Sequence, residues 1–125
     1  KKEVAILNNL ASKYKSAINM AGRYSFEDEL SVISRLDAML AMDSGNGHMA
    51  AMFGVPVVTL WGVTHPSLGF KPFLQPEENQ LTSDRQQFPL IPTSVYGKKV
   101  PPGYENAMRT ISPKKIVNRI KQILD

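Results

Sequence analysis

The sequence predicts an α/β fold in which a parallel sheet is flanked by helices. Two observations indicate this class. Segments with helical and with strand-like patterns alternate between residues 3 and 61. In addition, Ala38–Met42 is a short continuous apolar run, as in a parallel strand that is covered on both faces. Alternation of this kind implies right-handed crossovers and a doubly wound, Rossmann-like sheet.

The first three elements follow from spacing and capping signals. Apolar residues recur at helical spacing over residues 3–14, which predicts an amphipathic helix. A short strand is predicted over residues 16–22. Ser25 with Asp28 three positions later forms a capping-box pattern, so a second helix is predicted over residues 26–36.

The next three elements are a strand, a short helix and a strand. The run at 38–42 is the second strand. Residues 47–53 are apolar nearly all round and predict a short helix, which Gly54 ends as a left-handed cap and Pro56 prevents from resuming. The segment PVVTLW, residues 56–61, is rich in β-branched residues and predicts the third strand.

The remainder of the chain is predicted to be mostly loop before a final helix. Residues 62–103 carry many prolines and polar residues, with one short strand predicted near 93–96. Ser112 is the predicted cap of the closing helix and Pro113 its first residue. Its buried stripe is predicted to consist of Ile116, Ile120 and Ile123.

Length and pattern together predict one domain over residues 1–125. Three strands make a poor free-standing sheet, and the alternation begins with a helix that has no strand before it. Lys1 stands where a complete chain would have Met. We therefore expect the chain to be the latter part of a Rossmann-like domain from a longer enzyme, with further strands upstream.

Composition excludes several classes of protein. No segment approaches the roughly 18 apolar residues of a membrane span, and no signal peptide opens the chain. Without cysteine, disulfides and thiolate metal sites are excluded, which is compatible with a reducing cytoplasm. The net charge of +4 is spread along the chain without a stacking aromatic stripe, so it indicates a basic surface and no nucleic-acid partner.

The stretch DSGNG follows the second predicted strand, where open α/β sheets bind ligands. Gly45 and Gly47 allow close approach to the backbone, and the N–H groups and dipole of the following helix favour a phosphate. A tight turn that merely requires glycine is the alternative interpretation.

Three polar side chains lie beside these glycines. His48, in the first turn of the predicted helix, is suited to donate a hydrogen bond to a phosphoryl oxygen, although a lone histidine is often structural. Asp43 would repel a diphosphate, so it is expected either to accept hydrogen bonds from sugar hydroxyls or to cap the helix. Ser44 is able to donate to phosphate or sugar.

A second polar loop follows the third predicted strand. It brings Thr64 and His65 to the same edge of the sheet as Asp43, which favours a binding site. A polar turn before Pro66 is the alternative.

The stretch DSGNGHMAAMFGVPVVTLWGVTHP resembles the ADP-heptose:lipopolysaccharide heptosyltransferases, glycosyltransferase family nine. Their pattern is Asp-(Thr/Ser)-Gly-x-x-His-x-Ala-Ala, a Gly-x-Pro turn, an apolar strand and Gly-x-Thr-x-Pro. The likeness extends back through YSFEDELSVISRLDAMLAM and forward to AMRTISPKKIVNRI, but not over residues 71–101. The cysteines usual near the end of the family's chains are absent.

The resemblance implies the C-terminal, donor-binding half of a GT-B fold. By position, Asp43 would bind the donor sugar, Ser44 and Gly45 the diphosphate, and His48 the phosphate at the helix end. Gly47 belongs to the same donor-binding loop.

The resemblance also implies roles outside this loop. Thr64 and His65 would border the cleft between the two halves of the enzyme. Tyr24 corresponds to the place that holds the adenine, and Glu3 to an acid that contacts the nucleoside.

The implied reaction is inverting transfer of a sugar from ADP-heptose, or another nucleotide sugar, to a lipopolysaccharide-type acceptor, without metal or other cofactor. The general base is expected in an N-terminal domain that this chain lacks, so the fragment alone is predicted to be inactive. The implied location is the cytoplasm, with at most peripheral contact at the inner face of the inner membrane.

Two alternatives stay open. A nucleotide-sugar 2-epimerase half-domain has a similar Asp-Ser-Gly-Gly loop, but that family prefers acids at the position of His48 and needs Arg and Glu where this chain has THPSLG. A non-catalytic nucleotide-binding or protein-binding module is the second alternative.

Overall fold

A computed structural model of the chain describes residues 2–125. The helices and strands in this range are α1 Lys2–Lys13, α2 Phe26–Ile33, β1 Met39–Met42, α3 Gly45–Met52, β2 Val57–Trp61, β3 Gln80–Thr82 and α4 Pro113–Leu124. The chain forms two compact units, of which one ends at Val32 and the other comprises Ile33–Asp125. Within residues 2–125, no helix is both long enough and apolar enough to cross a bilayer.

The second unit contains a three-stranded parallel sheet in the order β1-β2-β3. Met39 pairs with Val57, and Thr59 pairs with Gln80. Helices connect or follow these strands, which confirms the predicted α/β class with a partial Rossmann-like sheet.

The central strand β2 supplies both hydrophobic clusters of this unit, because successive side chains of a strand point to opposite faces. Val57 packs with Ala50 and Ala51 of α3. Val58 packs with Leu81 and with a second cluster to which α4 contributes the predicted isoleucines Ile116, Ile120 and Ile123. The two helices therefore cover opposite faces of the sheet.

Three predicted helix boundaries are confirmed. The backbone N–H of Asp28 donates to Ser25 Oγ, and that of Ser25 donates to Asp28 Oδ2, which is the reciprocal capping box. Ser112 accepts from the backbone N–H of Lys115 at the start of α4. Gly54 follows α3 with φ +76°, a left-handed conformation that glycine adopts without strain.

The strand predicted over residues 16–22 is wrong. This segment is a turn in which the amide of Asn19 donates to Asn8 Oδ1 of α1, while its Oδ1 accepts from the backbone N–H of Ala21. The Asn19 side chain thus bonds to α1 and to the backbone of its own turn, and short polar side chains often form such backbone bonds in place of sheet hydrogen bonds.

The strand predicted near residues 93–96 is also wrong, and a strand appears earlier in the segment that was predicted to be loop. The Thr93 N–H donates a hydrogen bond to Val63 O, and the chain turns at Gly97, which has φ +67°. The third strand is instead Gln80–Thr82, which pairs with β2.

A buried polar network fixes the chain between β2 and β3. Gln75 accepts from the Val57 N–H at 2.7 Å and donates to Val55 O at 3.3 Å. Asn79, which is 1% exposed, donates to Gln75 Oε1 and accepts from Arg119 Nε of α4 at 2.7 Å. The connection between β2 and β3 is therefore held in place by hydrogen bonds to β2 and to α4.

Thr59 in β2 gives a stability prediction. Its side chain is 1% exposed and its Oγ1 has no hydrogen-bond partner among residues 2–125. Because a buried hydroxyl without a partner is unfavourable, we expect Thr59→Val to raise the free energy of unfolding by about 1 kcal/mol, measured by urea denaturation. Thr110→Val is the control and is expected to lower the free energy of unfolding. Its Oγ1 accepts from the Asp84 N–H and donates to Ala107 O, and valine removes both bonds. A loss of stability in Thr59→Val contradicts the prediction.

Candidate functional site

The candidate site lies where β1 and β2 end. Asp43 and Ser44 follow β1, and Gly62–Thr64 follow β2. Because the two strands are parallel, both loops lie at the carboxyl edge of the sheet. Two adjoining cavities are found there, and both are lined by Asp43 and Tyr96.

The smaller cavity, about 230 Å³, lies at the start of α3 and is called the helix-end cavity. It is lined by Asp43, Ser44, Gly45, His48, Phe70, Val95 and Tyr96. Ser44 is the N-cap residue with an extended backbone, but its side chain makes no capping bond. The first N–H groups of α3 have no intrahelical acceptor, so this end of the helix attracts an anion.

Three polar side chains of the helix-end cavity are free to bind a ligand. Asp43, Ser44 and His48 make no side-chain hydrogen bond within residues 2–125. Asp43 therefore does not cap α3, which removes one of its two expected roles. The cavity combines the Ser44 hydroxyl, the His48 ring and backbone N–H groups as donors with one carboxylate as acceptor.

The glycines of DSGNG lie in the helix and not in a loop, because α3 begins at Gly45. A Cβ atom at Gly45 would meet no atom within 4 Å. One at Gly47 would lie 3.3 Å from the Ala41 Cβ and 3.4 Å from Val57 Cγ1. Gly47 thus lets α3 pack closely on the sheet, whereas Gly45 lines the cavity.

The larger cavity, about 350 Å³, lies at the ends of β1 and β2 and is called the strand-end cavity. Thr64 lines it and is 7% exposed. Asp43 and Glu105 are the two charged residues in its lining. The structure thus brings Asp43 and Thr64 to one cavity, as the sequence predicts.

His65 is placed differently from Thr64. Its Nδ1 accepts from the Ser67 N–H at 3.1 Å and caps a short 3-10 helix, Pro66–Leu68. Nε2 lies 3.4 Å from Arg85 Nη1, and His65 lines neither of the two cavities. Partial burial, and then the positive charge of Arg85, lower the pKa of His65, so its ring is neutral at pH 7.

Tyr24 and Glu3 belong to the unit that ends at Val32. Tyr24 is half-exposed two residues before α2, and Glu3 is exposed in the first turn of α1. Their roles in binding the nucleoside stay predictions.

Sequence reasoning missed the residues contributed by the long loop and by the segment between that loop and α4. Phe70 and Tyr96 line the helix-end cavity with ring centroids 6.4 Å apart, and Val100, Glu105 and Met108 line the strand-end cavity. The signal in the sequence was a set of apolar and aromatic residues within a segment rich in proline and glycine.

No group of three or more His, Cys, Asp or Glu side chains among residues 2–125 has an arrangement able to hold a metal ion. Another cavity, about 580 Å³, lies along β3 and α4 and contains none of the predicted site residues.

The family model of glycosyltransferase family 9 (heptosyltransferase) matches residues 1–100. The matched range includes residues 71–100, which we expected to depart from the family, and stops before α4, which we expected to resemble it. No curated protein and no solved structure matches the chain. Since the match covers well over half of its residues, the chain belongs to glycosyltransferase family 9, the heptosyltransferase family.

Proposed function

We propose that this chain is the donor-binding, C-terminal half of a GT-B enzyme that transfers heptose from ADP-heptose to a lipopolysaccharide core acceptor with inversion. The observation that carries the proposal is the helix-end cavity. There the uncapped start of α3 adjoins the unbonded side chains of Asp43, Ser44 and His48.

The diphosphate of the donor is assigned to the helix-end cavity. The N-terminus of α3 supplies N–H groups and the positive end of the helix dipole, which suit a phosphate. The Ser44 hydroxyl and the His48 ring add donors at the same cavity. The exposed aromatic face of Tyr96 forms part of its wall.

The sugar is assigned to the neighbourhood of Asp43, because Asp43 lines both cavities. A carboxylate adjacent to a diphosphate is unfavourable for the anion but accepts hydrogen bonds from sugar hydroxyls. The donor is therefore oriented with its phosphates towards α3 and its sugar towards the strand-end cavity.

In the transfer step, an acceptor hydroxyl oxygen bonds to the anomeric carbon as the bond from that carbon to the phosphate oxygen breaks. The bonding pair leaves with the nucleoside diphosphate, so negative charge grows on the leaving phosphate. Donors fixed in place before the reaction stabilise that charge, and removal of one such donor costs about 3 kcal/mol in typical enzymes.

The acceptor proton passes to a general base. We assign that base to the partner domain of the same enzyme, and we expect the 125-residue chain alone to bind nucleotide without transferring sugar. The cavities of this half bind and orient the donor, and correct positioning of the donor contributes to the rate of transfer.

His48→Ala tests the proposed function. We expect the variant to lose affinity for ADP by at least about tenfold, because a hydrogen bond to a charged oxygen is removed. Affinity is measured by isothermal titration calorimetry on the 125-residue chain. His65→Ala is the matched control, since His65 caps a 3-10 helix and lines neither cavity. Its affinity for ADP is expected to stay within about twofold.

Equal ADP affinity in wild type and His48→Ala contradicts the proposed role of the helix-end cavity. Absence of saturable ADP binding in the wild-type chain favours the binding-module alternative, in which this edge of the sheet docks another protein.

A further inference from the structure

We propose that the open edge of β3 pairs with the same strand of a second copy of this chain, as two antiparallel strands related by a twofold axis. The surface concerned is the cavity of about 580 Å³ along β3 and α4, here called the edge groove. It contains none of the residues to which the donor is assigned. The inference is therefore independent of the proposed function.

The backbone of β3 is able to accept another strand. Among residues 2–125, β3 pairs with β2 on one side and has no strand on the other. Hydrogen bonds of a strand alternate between its two sides, and the Ser83 N–H donates to Trp61 O. Leu81, two residues earlier, therefore also faces β2, and the N–H and C=O of Thr82 point towards the open edge. Such an edge pairs readily with a further strand.

The edge groove carries two groups of charges with opposite sign. Glu77 and Glu78 immediately precede β3, and Lys114 and Lys115 lie in the first turn of α4. Glu77 forms an ion pair with Lys71. Glu78 and the two lysines are exposed and make no ion pair within the described part of the chain. One acid and two bases are therefore available to another molecule.

These groups lie at opposite ends of β3. Shortly after the strand, the Asp84 N–H donates to Thr110 Oγ1, which places the start of α4 near the carboxyl end of β3. Just before the strand, Asn79 accepts from Arg119 Nε, in the second turn of α4. The helix thus runs antiparallel to β3, with its first lysines at the carboxyl end of the strand and the glutamates at the amino end.

A twofold axis brings opposite charges together. In an antiparallel pair, the amino end of one strand lies beside the carboxyl end of the other. Glu78 of each copy then faces Lys114 and Lys115 of the other copy, and the same contact occurs twice, as in any isologous interface. A uniformly acidic or uniformly basic partner would meet like charge at one end of the groove. A second copy is therefore the occupant that the charges favour.

Lys115→Glu tests this pairing. Sedimentation velocity follows the 125-residue chain from micromolar to near-millimolar concentration. We expect wild type to pass from one copy to two, and the variant to dimerise at least about tenfold more weakly, because Glu78 then faces a like charge. The helix itself is not expected to suffer, since Ser112 caps α4 and a glutamate three residues after such a cap is favourable.

Lys98→Glu is the matched control. It changes the net charge by the same amount, but Lys98 is exposed and does not line the edge groove. Its dimerisation is expected to stay within about twofold of wild type.

Exchange of the two charges distinguishes a specific contact from a general effect of charge. Glu78→Lys alone is expected to weaken the dimer about as much as Lys115→Glu, whereas the combined variant is expected to return to within about threefold of wild type. Hydrogen exchange at the Thr82 amide reports on strand pairing directly. In wild type it is expected to become slower as the concentration rises, and in Lys115→Glu it is expected to stay fast.

A chain that remains monomeric over this concentration range overturns the proposal. Dimerisation of Lys115→Glu as tight as that of wild type also overturns it, because the copies then associate through another surface. The same holds if the combined variant is no tighter than the single variants.

Discussion

Gly47→Leu is expected to lower the free energy of unfolding by about 3 kcal/mol, through overpacking. A Cβ at this position already lies 3.3 Å from Ala41 Cβ, 3.4 Å from Val57 Cγ1 and 3.7 Å from Pro72 Cγ. The three further carbons of leucine have no space between α3 and the sheet. Urea denaturation of the 125-residue chain, followed by circular dichroism, measures the effect.

Smaller substitutions separate packing from helix propensity. In Gly47→Ala, the tight contacts are offset by the gain of about 1 kcal/mol that alanine brings to a helix, so the net change is expected to be small. Gly45→Ala is the control, because its Cβ meets no atom within 4 Å. A Gly47→Leu variant as stable as wild type would show that α3 does not pack on the sheet at this distance.

The contrast between these two glycines shows where sequence reasoning reached its limit. Both were predicted to serve close approach of a ligand. In a helix, however, Gly47 shares a face with Ala50 and Ala51, which lie three and four positions later and are buried against the sheet. The small residues at that spacing were a signal for close packing, but reading it requires knowing that the helix begins at Gly45.

Local patterns were sufficient for four elements of the second unit. β1, α3, β2 and α4 were predicted because apolar runs and capping residues are encoded within each segment. β3 was missed because it has three residues, of which only Leu81 is apolar. Its strand conformation depends on pairing with β2, which no local pattern reveals.

The predicted residues that line the two cavities lie in the segments that directly follow β1 and β2. Asp43, Ser44 and His48 lie within six consecutive residues, so a motif identifies them, and Thr64 follows the next predicted strand. Tyr96 and Glu105, in contrast, line the strand-end cavity from a distant segment of the chain. A hydrogen bond from the Thr93 N–H to Val63 O, just after β2, holds that segment near the site. Contacts at such sequence separation are set by tertiary structure, so no local spacing of residues predicts them.

Gly45→Val is expected to reduce affinity for ADP by about a hundredfold, equivalent to about 3 kcal/mol. Gly45 lines the helix-end cavity, and Cα–Cβ bonds in a helix tilt towards its N-terminus. The branched carbons of valine would therefore extend into the space where a phosphate approaches the N–H groups of α3. Calorimetric titration with ADP measures the loss.

Stability distinguishes this blocked site from a damaged fold. A Cβ at Gly45 meets no atom within 4 Å, so the free energy of unfolding of Gly45→Val is expected to remain within about 1 kcal/mol of wild type. Gly54→Val is not a suitable control, because Gly54 has φ +76° and valine is strained there. Asn46→Ala is better matched, since Asn46 is exposed in the same turn of α3 and does not line the cavity. If Gly45→Val keeps both its stability and its affinity for ADP, the nucleotide does not bind at the start of α3.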